Sequence, residues 1–144
     1  NSFLVTDEIF ADFQFQVEVR IVERGNSGIQ FRSDYRERDG AVFGYQAEID
    51  EKIRAWSGGI YEEGRRGWLD DLKDNPAGRQ AFRLDEWNHY FIQAKGNSMR
   101  VWVNGVATAH LVDDEPLLKG FFALQVHGGN SGRFHWRNPR FRPL

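Results

Sequence analysis

Three short stretches, read with a period of two, gather side chains that can hold a sugar or move a proton on it. In "SGIQFRS" (27–33) Gln30 and Arg32 share one side; in "GYQAEID" (44–50) Gln46, Glu48 and Asp50 do; in "FFALQVH" (121–127) Gln125 and His127 do. Planar amides, a guanidinium and carboxylates form bidentate hydrogen bonds in fixed planes, which suits neighbouring sugar hydroxyls. Tyr61 and Trp56 lie close to the second stretch and can supply the apolar platform on which a pyranose face stacks. Glu48 and Asp50 are same-face neighbours ~6.5–7 Å apart at Cα, a spacing that permits a two-carboxylate glycosidase arrangement without requiring one. The plain alternative is a solvated strand face, on which Asp50 caps a turn, His127 is a rim residue before two glycines and Tyr61 belongs to the core. Trp87, Trp102 and Trp136 read as packing residues.

Other chemistries find little support. No two histidines have i, i+4 spacing, so a helical zinc site is not indicated. With no cysteine there is neither a disulfide framework nor a thiolate zinc site. "GGNSG" (128–132) is glycine-rich but joins two strands rather than a strand to a helix, which is a weak phosphate signal. The chain has 144 residues and a net charge of -2, with acids and bases intermixed along its length. That balance gives no sequence footprint for nucleic acid and no polybasic membrane segment. No apolar run approaches the ~18 residues of a spanning helix. No leader is evident at "NSFLVT", and the expected location is the periplasm or the outside of a bacterial cell.

The elements that must position these groups are strands. Five tryptophans, twelve phenylalanines and frequent glycine favour an all-β antiparallel two-sheet sandwich in one domain, 1–144. "DFQFQVEVRI" (12–21) alternates most clearly, with Phe13, Phe15, Val17, Val19 and Ile21 facing one way. "RGNSG" (24–28) is a turn, and strands follow at "IQFRS", "VFGYQAEID" and "SGGIYEE". "WNHYFIQAKG", "MRVWVNG" and "VATAHLV" form a meander through two hairpin signals, "GN" (96–97) and "NG" (104–105). "GFFALQVHGG" and "GRFHWRNPRF" complete the set. Between Gly64 and Glu86 no period holds. A long loop is expected there, with one helical turn near Leu69 to Lys73, and Trp68 anchoring it over one edge of the polar groove.

Seven stretches in this order, "SGIQFRS", "GYQAEID", "SGGIY", "WNHYFIQAKG", "VWVNGV", "FFALQVHGG" and "FHWRNPRF", resemble the 3-keto-disaccharide hydrolase domain of bacteria. The resemblance covers nearly the whole chain. It implies a jelly-roll sandwich of concanavalin A-like or laminin-G-like type and action on glycosides oxidised at C3. The family pattern usually begins with a further strand region, of which only "FLVTDEIFADF" remains, so an N-terminal strand or two is expected to be missing. Gln46 stands where the pattern has Glu, and Glu48 where it has Gln, so the carboxylate has moved two positions along the same face.

A ketone at C3 acidifies the C2 proton, so a base can remove it and the C1 oxygen can leave. Water then adds back, for net hydrolysis. The resemblance implies His127 as the base or a metal ligand. Arg32 and Gln125 would polarise the ketone or hold hydroxyls. Glu48 or Asp50 would serve as acid, orienter or metal ligand. Gln30, Gln46, Tyr61, Trp56 and Trp68 would bind saccharide. A divalent metal held by Asp50, Glu48 and His127 is conceivable through oxygen and imidazole ligands. The alternatives are a non-catalytic carbohydrate-binding module using the same face and a laminin-G-like adhesion domain.

Overall fold

The computed structural model describes residues 1–129 and 132–144. Period-two hydrophobicity becomes two antiparallel sheets packed face to face. The first has the strand order β1 (Ser2–Val5), β10 (Phe121–Val126), β3 (Asn26–Tyr35), β4 (Val42–Asp50), β5 (Ile60–Glu63), β6 (Gly67–Asp70). The second has the order β11 (Arg133–Pro143), β2 (Phe13–Glu23), β7 (Asn88–Lys95), β8 (Ser98–Val103), β9 (Val106–Val112). Ile29, Phe31, Tyr45, Ala47, Ile49 and Ile60 of the first sheet meet Phe13, Val17, Val19, Tyr90, Ile92, Met99 and Val101 of the second, all essentially buried. This is the all-β sandwich expected from the alternation, and it leaves each sheet one outer face.

Two local expectations are corrected. The helical turn is α1 (Pro76–Arg79), not Leu69 to Lys73. Asn75 caps it by accepting the Gly78 N–H at 2.9 Å, and Pro76 occupies the first turn, where its missing N–H costs nothing. Leu69 instead lies in the edge strand β6, which pairs with β5 around a turn between Gly64 and Gly67, both at positive φ. The N-terminal segment forms a strand of its own, β1, paired with β10.

The largest correction concerns Arg32. The β3–β4 register shifts between Phe31 and Asp34, and Arg32 sits in this bulge at φ 48°. Parity therefore fails after Phe31, and the Arg32 side chain turns away from the polar face. Its guanidinium donates to the carbonyls of Ala11 (2.9 Å), Gly96 (2.6 Å) and Leu117 (3.1 Å) and pairs with Asp12 at 2.9 Å. Those acceptors belong to the approach to β2, the β7–β8 turn and the β9–β10 crossover. Arg32 is thus a clamp between the sheets. Gly120 packs so closely on the bulge that a Cβ there would lie 2.3 Å from the Arg32 carbonyl carbon.

Candidate functional site

Glu48 is the centre of the outer face of the six-stranded sheet. Its N–H donates to the Gly59 carbonyl at 3.0 Å, and its own carbonyl accepts from the Gly58 N–H at 2.8 Å. The Tyr90 hydroxyl reaches across from the other sheet to the same carbonyl at 2.8 Å. The two glycines of "SGGIY" allow this close approach, and the backbone of Glu48 is fixed from both sheets.

Its carboxylate ends a directed chain of hydrogen bonds. The Ser33 hydroxyl donates to Gln30 Oε1 (2.7 Å), Gln30 Nε2 to Gln46 Oε1 (2.6 Å), and Gln46 Nε2 to Glu48 Oε2 (2.8 Å). Asn26 Nδ2 donates to the other carboxylate oxygen. Gln30 and Gln46 are cross-strand partners, which places their amides side by side. Gln46 lies flat across Gly28, where any Cβ would fall 2.3 Å from its side chain. Every donor in the chain points toward Glu48, and together they favour its ionised form. Burial opposes them and wins: the Glu48 carboxyl is pushed up to about 7, with the charge of Asp50 adding to the rise and Arg54 working against it.

The sign of the resulting pH dependence is fixed. A carboxyl with a folded pKa of about 7 against an ordinary 4.5 contributes stability that is complete below 4.5 and is lost as pH rises to about 7. The stability of the wild type relative to Glu48→Gln is expected to fall across that window and then level off. Denaturant unfolding of both chains below and above the window measures it, and a difference that grows with pH contradicts the burial of this carboxyl.

Around Glu48 lies a cavity of about 290 Å³, at the lower end of small-ligand pockets. Tyr61, the cross-strand partner of Gln46, forms part of its wall and stands edge-on to Trp68 at 5.3 Å. Trp56 is behind Trp68, edge-on at 5.0 Å, and does not line the cavity itself. Arg54 stacks over both indoles, 4.8 and 5.0 Å from their centres, and Lys52 stands beside it on the wall. Glu63 adds a second carboxylate. His127 forms the rim. Its Nδ1 is 2.8 Å from the Gly128 carbonyl, which can only accept, so Nδ1 donates there and Nε2 is the nitrogen left to exchange a proton. A second cavity of about 310 Å³ opens between the sheet edges near Leu4, Phe10 and Trp136. It has almost no polar lining and suits no acid–base chemistry.

Of the residues singled out from the sequence, Gln46, Glu48, Tyr61, Trp68 and His127 converge on one cavity. Gln30 supports it from beneath through Gln46. Gln125 is buried beside it, donating to Glu63 at 3.2 Å while its Oε1 has no partner among the described residues. Arg32 is absent from the site for the reason given above. Asp50 is the turn cap: its carboxylate accepts the Lys52 N–H (3.0 Å) and holds Arg54 at 2.7 Å, so it positions the cation rather than facing the cavity. Glu48, Asp50 and His127 therefore do not converge as metal ligands, and no group of three such side chains among the described residues could hold a cation. Asn26, Lys52, Arg54 and Glu63 were not anticipated. Glu63 had a signal, since it is two residues from Tyr61 on the same strand. Lys52 and Arg54 had none, because "EKIRAW" carries no period.

With this geometry in view, the chain can be set beside known proteins. No curated protein sequence matches it. The carbohydrate-binding module CBM66 of Bacillus subtilis shares 19% identity over 97% of this chain and 80% of the module, with a TM-score of 0.77. A protein of Parabacteroides distasonis provisionally named a glycosyl hydrolase shares 18% over 97% of this chain and 75% of its own, with a TM-score of 0.69. Sheep galectin-11, solved with glycerol, shares 11% over 98% and 96%, with a TM-score of 0.58. These likenesses establish a galectin-like, concanavalin A-like sandwich. The family pattern itself matches residues 1–142, making this a carbohydrate-active domain: the chain belongs to the 3-keto-alpha-glucoside-1,2-lyase-like domain family.

Proposed function

We propose that the domain cleaves 3-keto-glycosides by elimination across C1 and C2 followed by hydration, with Glu48 carrying the C2 proton. The observation behind this reading is a buried carboxyl with a pKa of about 7, held by a directed amide chain on the wall of a sugar-sized cavity. A base works best when its pKa lies near working pH. The Glu48 carboxylate removes the proton from C2, and negative charge moves onto the C3 oxygen. Lys52 and the Nη groups of Arg54 supply positive charge for that oxygen from a fixed position. The enolate collapses, the C1–O bond breaks, and protonated His127 gives its Nε2 proton to the departing oxygen. Water then bonds to C1 and gives a proton to His127, while the Glu48 carboxyl, its proton exchanged with solvent once the leaving group has departed, protonates C2. Both groups end as they began, and the net reaction is hydrolysis.

The resemblance to a carbohydrate-binding module supports a second reading, in which the cavity only holds sugar. Incubation with a 3-keto-α-glucoside and with its unoxidised counterpart separates the two. The account expects cleavage of the oxidised substrate alone. Binding of both without cleavage assigns the domain to recognition.

A further inference from the structure

The outer face of the five-stranded sheet sorts charge in a way that the sequence order conceals. One rung across the strands reads Arg142, Gln14, Gln93, Arg100, His110. The adjacent rung reads Arg140, Gln16, Phe91, Trp102. Alternate residues on the same strands, such as Val17, Ile92 and Val101, are buried in the core, so these rungs face outward. Gln14 donates to Gln93 at 3.0 Å, and Phe91 and Trp102 stand edge-to-face at 5.3 Å. Arg100, Arg140 and Arg142 are exposed and have no carboxylate within 4.0 Å among the described residues. The nearby carboxylate of Glu18 is taken by Arg137 at 3.0 Å and Asn138 at 2.6 Å. A chain of net charge -2 thus presents a cationic face with an aromatic pair at its centre.

We propose that this face is a second binding site, distinct from the Glu48 cavity, for an acidic polysaccharide of the polyuronate class lying across the strands. The first rung spans about 19 Å from β11 to β9 at the usual strand spacing, and each strand step is comparable in length to one pyranose unit. Trp102 and Phe91 meet a ring face. The paired amides of Gln14 and Gln93 meet hydroxyls. Arg100, Arg140 and Arg142 meet carboxylates, which the guanidinium fork matches in plane. A lipid surface is disfavoured because Phe91 and Trp102 are half-buried in the sheet face rather than projecting from it. A single-stranded nucleic acid would engage the same charge and aromatic pair, and weaker binding to it than to an acidic polysaccharide is what the proposal requires.

Affinity electrophoresis through gels containing polygalacturonate, neutral dextran or single-stranded DNA tests the proposal on the whole chain. Polygalacturonate is expected to retard the protein, the retardation weakening with salt, while dextran has little effect and DNA binds more weakly. Arg100→Gln together with Arg142→Gln is expected to weaken polygalacturonate binding by about tenfold or more. Both positions are exposed, so this variant keeps the fold. Trp102→Ala is expected to weaken it without changing the charge. Glu48→Gln leaves it unchanged, which separates this site from the proposed catalysis. Equal retardation of the double Arg variant, or DNA binding as tight as polygalacturonate binding, overturns the proposal.

Discussion

Glu48→Gln is expected to lower kcat on a 3-keto-α-glucoside by about 10²–10⁴-fold, the usual contribution of a positioned acid–base group. The amide keeps the size of the side chain and can still meet Asn26 and Gln46 if their amides reorient, but it cannot carry a proton. Substrate affinity should change little, because the cavity wall stays in place. His127→Ala has a different signature. A leaving-group acid matters in proportion to the basicity of the departing oxygen, so in a single turnover this variant should cleave a 3-keto-disaccharide slowly and release nitrophenol from a 3-keto nitrophenyl glucoside at close to the normal rate. Turnover of Glu48→Gln at the wild-type rate would remove the buried carboxyl from the chemistry, and Glu63 would be the remaining carboxylate on the cavity wall.

Arg32→Met is expected to lose about 3–5 kcal/mol of unfolding free energy, because three carbonyls lose their donor at about 1–3 kcal/mol each, discounted for partial exposure. The side chain of Arg32 is fully buried, while that of its partner Asp12 is 38% exposed. Asp12 can rehydrate in part. The carbonyls of Ala11, Gly96 and Leu117 lose the donor that joined three separate segments. Urea unfolding measures the loss, and kcat of the folded variant should stay near wild type because Arg32 does not line the cavity. A loss within about 1 kcal/mol, the scale of a surface pair, would contradict the clamp.

The fold was legible wherever a strand alternates without interruption. Phe13 to Ile21, Tyr90 to Ala94 and Met99 to Val103 face the core as their periodicity requires. The polar face was legible for the same reason at Gln30, Gln46, Glu48 and Gln125. Arg32 was misplaced because a bulge is a backbone event: Phe31 and Asp34 pair normally on either side of it, and nothing in "IQFRSDY" announces the positive φ between them. Asp50 was grouped with Glu48 by parity, but the turn that follows draws its carboxylate to Lys52 and Arg54. The helix at Pro76 had a readable start in "NPAGR", an N-cap asparagine followed by proline, which the charged surroundings obscured. The cationic rungs were not visible at all, since Gln14, Arg100 and Arg142 become neighbours only through strand pairing.

The central claim is proton removal from C2 and reprotonation there by a solvent-exchanged carboxyl after C1–O cleavage, and the isotopic composition of the product tests it most directly. The wild-type chain is incubated with a 3-keto-α-glucoside in deuterium oxide, and the released 3-keto sugar is analysed by NMR against the same sugar incubated without protein. Elimination followed by hydration predicts deuterium at C2 of the product beyond the level of that control. Cleavage that leaves hydrogen at C2 would show direct displacement at C1 and contradict the assignment of Glu48 as the C2 base.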